Sequence, residues 1–451
     1  MSYLVKNLAE LQPTEVKSVL SRHLLNDRMD MVMDLERSEG AYVYDSLHNR
    51  RLLDFFSCFA TIPVGYNHPK MTGDEDFKRD LLRAALINPS NSDISTVEKA
   101  RFMEVFGRVG IPDYLPHAFL IAGGALAVEN ALKVAMDWKV QKNFRKGYTY
   151  EKGTKILHFQ EAFHGRSGYT MTLTNTDPNK IKYFAKFHDW PRVLNPKIVF
   201  PITEENLEDL ERREELSLAQ IKTAFHEHKD DIAAIIVEPI QCEGGDHHMR
   251  ADFFRRVREL CLENEALLIY DEVQVGCGAT GTFWCHEQFG PECRPDLIAF
   301  GKKMQVCGIL GGPRIDEVET NCFTVSSRIN STWGGNLVDM VRAARIMQIF
   351  EEDNVLENVR EGGEFLLDAL YRLSAQYKGL TNVRGRGLIV AFDLPTPRHR
   401  DEFIARGLHY NALFLACGER SVRLRPTLTI AREDLQKGVE IIEMCLRDLH
   451  L

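Results

Sequence analysis

A chain of 451 residues with 44% apolar content can bury a large core and is long enough for more than one domain. A net charge of −9 without a basic stripe excludes nucleic acid as an expected partner, and no apolar run reaches the length of a membrane span. The ten cysteines form no CxxC pair and no zinc-like spacing, and Met1–Lys6 lacks a basic region leading into a long apolar one, so reduced, mostly buried thiols in a soluble cytoplasmic protein are expected.

Residues 1 to about 35 alternate short apolar groups with charge and read as helical. Gly40–Asp45 and Arg51–Phe55 then read as a β-hairpin around a polar turn. Phe56–Pro69 is apolar but broken by Pro and Gly, the pattern of a covered loop. From about residue 100 strands and helices alternate. His117–Ile121, Ile156–Phe159 and Ala233–Val237 are strand candidates, and a helix begins near Ala125. Phe253, Phe254, Val257, Leu260 and Cys261 form an apolar helical stripe between Ala233–Val237 and the next strand, Ala266–Tyr270. Strand, helix, strand at that length is a parallel crossover unit. After Asn336 come two long helical patterns, then strands at Leu388–Phe392 and Val422–Pro426, and a final helix with one apolar face from Leu435 to Leu449.

Two apolar runs deliver charge where a strand should end. Ala266–Tyr270 stops at Asp271-Glu272, and Asp296–Phe300 stops at Gly301-Lys302-Lys303. Ligands of open α/β sheets bind at that carboxyl edge. Asp-Glu after a strand also suits a magnesium-binding nucleotide hydrolase, but the Gly-rich loop that chemistry requires is absent. A lysine at a strand end can be desolvated and made nucleophilic, or can simply lie at the surface; composition alone does not choose between Lys302 and Lys303. Gly123-Gly124-Ala125, between strand and helix, lets a phosphate approach free N–H groups. Phe163 could stack on a planar ring, while Arg166 and Arg423 could hold carboxylates. His226, His228, His247 and His248 read as surface residues, and no metal site is expected.

Taken together, these pieces resemble the class III pyridoxal-phosphate-dependent aminotransferases of fold type I, over nearly the whole chain. The resemblance is carried in order by Gly40–Asp45, Phe163-His164-Gly165, Glu238–Gln241, Asp271–Gln274, Asp296 with Lys302 six positions on, Ser331–Asn336 and Arg423–Pro426. It implies an α/β fold: a mostly parallel central sheet in a large domain (76–336), and a smaller α+β domain built from an N-terminal segment (1–75) and residues 337–451. It implies pyridoxal 5'-phosphate as cofactor, with Lys302 joined to it covalently and Asp271 pairing with its ring nitrogen. Phe163 would cover the ring, Gly124 and Ala125 would hold the phosphate, and Glu238 and Gln274 would complete the cofactor site. Ser331 and Thr332 would come from the other subunit of a homodimer.

Gly123–Asn130 and Gly301–Gln305 resemble the members of the class that transfer the ε-amine of L-lysine to 2-oxoglutarate, where most of the class has Ser-Gly-Ser/Thr-Glu and Ala-Lys-Gly. That likeness implies Arg166, Glu243, Gln274, Asn330 and Arg423 as substrate residues, with Glu243 masking Arg423 while lysine is bound. Cys242 stands where Gly usually precedes that glutamate. An ornithine or 4-aminobutyrate aminotransferase, a PLP-dependent aminomutase or racemase, and a non-catalytic cofactor-binding protein remain alternative readings.

Overall fold

The computed structural model describes residues 11–25 and 29–451. Its central sheet has seven strands, in the order His117–Ile121, Cys307–Gly311, Leu297–Phe300, Leu267–Asp271, Ile232–Val237, Lys155–Phe159 and Arg192–Val193. The last five run parallel, and Cys307–Gly311 runs antiparallel to both of its neighbours. Ile232–Val237, Leu267–Asp271 and Leu297–Phe300 are buried at every position. Such strands have core on both faces. Successive residues of one strand accordingly enter different cores: Leu268 and Tyr270 join one apolar cluster, Leu267 and Ile269 the other. The long helix Gly124–Arg145 covers one face, its Ala127, Ala131, Leu132 and Ala135 packing with the second cluster. Ala251–Glu263 buries Phe253, Phe254 and Val257 in the first cluster.

A second sheet, antiparallel throughout, takes the order Thr381–Arg386, Ile389–Asp393, Ser421–Leu424, Leu415–Cys417. The helix Val355–Gln376 packs on it and also touches Arg432–Asp448. A third sheet joins the two ends of the chain. Met33–Glu39, Tyr42–Asp45 and Arg50–Asp54 form an antiparallel meander, and Ala412–Leu413 adds in parallel to its last strand. The mostly parallel α/β architecture expected from the sequence is the one observed.

Several local expectations are corrected. Residues 1–10 and 26–28 lie outside the described residues. Pro13–Leu20 is helical, but by Met33 the chain is a strand, because pairing with Tyr42–Asp45 overrides the local charge alternation. The strand expected at Leu388–Phe392 is Ile389–Asp393, and Thr381–Arg386 before it is a further strand paired with it, the reversal falling at Gly387-Leu388. Within the apolar loop, Ser57–Ala60 is a turn with four consecutive residues at positive φ. His248 is not a surface residue. It is buried, its ring lies edge-on to Phe200, and burial followed by the charge of Arg386 pushes its pKa well below the usual imidazole value. His247 is half-buried and pairs with Glu161 at 2.7 Å. His228 is half-buried and His226 is exposed.

Among the described residues no helix is long and apolar enough to cross a membrane. All ten cysteines are free, and all but Cys58 and Cys307 are buried.

Candidate active site

The register of two parallel strands creates the site. Asp271 lies opposite Ala299, and the Glu272 N–H donates to the Ala299 carbonyl at 2.8 Å. Lys302 follows three residues beyond Ala299, so the acid and the amine reach the same carboxyl edge. Lys302 adopts φ of +49°, left-handed for a side-chain-bearing residue. Such a conformation costs of order 1–3 kcal/mol and persists only where surroundings enforce it. Here the Gln305 N–H donates to the Lys302 carbonyl at 2.8 Å, and the Gln305 side chain donates to the Thr61 carbonyl at 2.8 Å. The Lys302 amine has no hydrogen bond or ion pair among the described residues. Burial, then the guanidinium of Arg423, lowers its pKa to about 8. Lys303 differs: it is buried and donates to the Gln274 carbonyl at 2.5 Å. The amine left open to a reaction partner is therefore Lys302.

Asp271 is buried and held from both sides. His164 Nδ1 lies 2.8 Å from one oxygen, and the Val273 N–H donates to the other at 3.1 Å. The second ring nitrogen of His164 has no hydrogen-bond partner among the described residues. Glu238 accepts from the N–H groups of Phe163 at 2.8 Å and Cys242 at 3.3 Å, which fixes the backbone that carries the Phe163 ring. Burial, increased by the nearby Asp271, raises the Glu238 pKa well above the carboxylate range. The helix Gly124–Arg145 opens without a side-chain cap, leaving first-turn N–H groups available to an anion. A Cβ on Gly165 would come within 2.5 Å of Ala125 Cβ, so the Phe163–Gly165 loop fits against that helix end only because Gly165 has no side chain. A carboxylate, an aromatic ring, open N–H groups and a free amine at one edge fit a planar, phosphate-bearing ring with a reactive carbonyl.

A second cluster lies beside the amine. Arg423 reaches it from the strand Ser421–Leu424 and is buried. Its guanidinium donates to Glu243 at 2.8 Å and, at 3.4 Å each, to the Cys242 carbonyl and the Gln274 side chain. Its Nε has no hydrogen-bond partner among the described residues. The other Glu243 oxygen accepts from Lys180 at 2.5 Å. Burial opposes ionisation of Glu243, but the two cations outweigh it and its pKa is lowered.

Arg166 is exposed and lines a cavity of about 660 Å³ together with Lys180, Met171 and Phe184. Asn330 and Thr332 are exposed and Ser331 is half-buried, on a turn tied to Ser92, which donates to the Ser331 and Thr332 carbonyls. Among the described residues of one chain, this turn makes no hydrogen bond or ion pair with the side chain of Asp271 or Lys302. His164 as the partner of Asp271 and Lys180 as the partner of Glu243 were not foreseen. His164 stood inside a quoted motif, but no spacing ties Lys180 to a carboxylate 63 positions on.

A family model described as aminotransferase class-III matches residues 25–446. The chain is 45% identical over 451 residues to the L-lysine-epsilon aminotransferase of Mycobacterium tuberculosis, covering 99% of each. It is 46% identical over 436 residues to that of Amycolatopsis lactamdurans, covering 96% of this chain and 95% of the relative. The solved lysine aminotransferase from M. tuberculosis in its internal aldimine form matches with a TM-score of 0.94, covering 97% of this chain and 100% of that one. The chain belongs to the class-III aminotransferases.

Proposed function

We propose that this enzyme transfers the ε-amino group of L-lysine to 2-oxoglutarate, using pyridoxal 5'-phosphate. The products are L-glutamate and L-2-aminoadipate 6-semialdehyde, which cyclises to 1-piperideine 6-carboxylate. The observation that carries this reading is the capped Arg423. A guanidinium beside the reactive amine would trap the carboxylate of an ordinary α-amino donor; with Glu243 upon it, it cannot, while Arg166 stays open at the outer cavity. That arrangement suits a donor entering amine first with its carboxylate trailing, as the full-length likeness to lysine-epsilon aminotransferases also suggests.

When bound, pyridoxal phosphate accepts the amino group and spreads the electron pair left by C–H cleavage over its ring. In this reading the Lys302 amine holds the cofactor between turnovers and then, released, carries the proton removed from the amine-bearing carbon. Asp271, steadied by His164, keeps a proton on the ring nitrogen. Phe163 covers one ring face, Glu238 fixes the Phe163 backbone, and the Gly124 and Ala125 N–H groups hold the phosphate. Gln274, whose side-chain oxygen accepts from Arg423 at 3.4 Å, would help to hold the cofactor and the substrate. Arg166 holds the α-carboxylate of lysine. Glu243 withdraws when 2-oxoglutarate arrives, and Arg423 takes its α-carboxylate.

Ser331 and Thr332 would complete the site of a second copy in a homodimer, and Asn330 would meet the substrate. Support comes from apolar side chains left open in the single chain around that turn: Leu86, Ile87, Ile94, Val97 and Trp333, between 49% and 75% exposed. The division at about 75 and 336, with cofactor chemistry in 76–336, belongs to the same reading, as does a cytoplasmic setting, in keeping with ten unpaired cysteines.

Spectra of the holoenzyme with and without L-lysine, followed by product identification, test the proposal. Bleaching by lysine with the cyclised product supports it. Faster turnover of ornithine or 4-aminobutyrate would move the enzyme to those donors. Turnover needing no oxo-acid would indicate an aminomutase or racemase, and no spectral response to any amine a non-catalytic protein.

A further inference from the structure

Glu243 is not held by Arg423 alone. One carboxylate oxygen accepts from Arg423 at 2.8 Å and the other from Lys180 at 2.5 Å, so a single anion is shared between two cations from distant parts of the chain. The main chain beneath it is fixed. The Gly418 N–H donates to the Glu243 carbonyl at 3.1 Å. Arg384 donates to the Gly245 and Asp246 carbonyls, and Arg425 pairs with Asp246. Gly244 lies so close to the Glu161 carbonyl that a Cβ there would collide. Any movement that uncovers Arg423 must therefore come from rotation of the Glu243 side chain, and the carboxylate needs somewhere to go.

Lys180 is placed to receive it. Its turn, Pro178–Lys180, is capped by Asp177, which accepts from the Asn179 N–H at 2.9 Å. Its amine stands 5.5 Å from the centroid of the Phe163 ring, and its side chain is only 26% exposed. A carboxylate that left Arg423 with no second cation would be partly buried and unpaired, an expensive state. With Lys180 bonded to the far oxygen, the anion keeps a partner throughout the rotation.

We propose that Lys180 is the positioning residue that retains Glu243 in the open state, so that Arg423 becomes free to bind the α-carboxylate of a dicarboxylic substrate. This rests on the substrate exchange proposed above. Lys180 thereby sets the relative ease of the two half-reactions: without it, Glu243 stays on Arg423 and the dicarboxylate half is disfavoured.

The test compares wild-type holoenzyme with Lys180→Met, which keeps the stem over Phe163 but removes the charge, and Lys180→Arg, which restores it. Calorimetric titration with glutarate, a dicarboxylate lacking the reacting carbonyl, reads the opening without turnover. Lys180→Met should bind glutarate about 10–100-fold more weakly, the range expected for losing one hydrogen bond to a charged group. In single turnovers its L-glutamate half-reaction should lose about tenfold more than its L-lysine half-reaction, and Lys180→Arg should recover most of the difference. Unchanged glutarate affinity, equal losses with both donors, or a larger loss with L-lysine would each overturn the inference. The last result would instead make Lys180 a partner of Arg166 for the trailing carboxylate. If the wild-type enzyme ignores L-lysine, the proposed donor falls, but glutarate affinity and its rescue by arginine still decide the role of Lys180.

Discussion

Two lysines at opposite edges of the central sheet, Lys139 fully buried and Lys302 half-buried, have the same lowered proton affinity and different uses. Lys139 is fully buried near the amino edge, where Asn264 and Glu265 lead into Leu267–Asp271; burial, then the charge of Lys146, lowers its pKa to about 8. Lys302 stands past the carboxyl edge, also at about 8. Lys139 donates to the Glu265 carbonyl at 2.8 Å and the Asn264 carbonyl at 3.4 Å, with the Glu265 carboxylate at 3.4 Å and Asp230 at 3.9 Å. Lys302 has none of these. A depressed pKa therefore does not mark a reactive lysine by itself. What sets Lys302 apart is an amine without acceptors beside an arginine, on a backbone turn that other residues hold in place.

The largest test of that contrast is Lys302→Ala, expected to lower turnover by at least about 10⁴-fold, as loss of a covalent nucleophile does. Single-turnover absorbance with L-lysine measures it; a smaller loss would hand the role to Lys303. Asp271→Asn removes the buried charge at the other end of the site. If the loss of about 3–5 kcal/mol falls on the transition state, turnover drops roughly 10²–10⁴-fold.

The pH dependence of cofactor capture by the apo-protein probes the amine directly. The neutral amine is the nucleophile, and the Lys302 pKa lies below the ordinary lysine value, so the neutral fraction saturates early. The capture rate should climb about tenfold per pH unit below the pKa and flatten above about 8 rather than rise toward 10.5. Glu243→Ala should cost the L-lysine half-reaction more than the L-glutamate one, by about tenfold for a lost hydrogen bond to a charged group; equal losses would count against the mask. The smallest functional effect belongs to Lys139→Met. Turnover per folded molecule should stay within about twofold, while stability to urea falls by about 1–3 kcal/mol, discounted because Glu265 is partly exposed and keeps Lys142 and Lys146.

Much of this was legible before any coordinates. Ala266–Tyr270 announced a strand because a five-residue apolar run ending in charge has few other stable fates. Gly123-Gly124 announced a helix start, which the chain places at Gly124. The pieces that escaped are those decided by neighbours. Cys307–Gly311 carries two glycines and is not among the strand candidates, yet it is a strand because Leu297–Phe300 and His117–Ile121 supply ladder partners on both sides. Thr381–Arg386 hid behind Gly385 for the same reason. His248 reads as polar surface until the fold buries it against Phe200 and near the charges of Arg386, Arg384 and Arg425. Lys180 is one cation among 56 lysines and arginines, and only the folded chain brings it to Glu243.

The parallel pairing of Leu53 with Ala412 has a consequence for how the molecule is made. The Phe55 N–H donates to the Leu413 carbonyl, and the Arg425 N–H donates to the Phe55 carbonyl, so the meander is finished by residues translated long after it. Until they emerge from the ribosome, Arg50–Asp54 has an unpaired edge and Leu52 and Phe55, buried in the finished fold, lack much of their cover. Bare strand edges and uncovered apolar groups attract other chains during slow, long-range assembly. Truncation before about residue 412 should therefore yield aggregates even though every strand of the central sheet has already been translated.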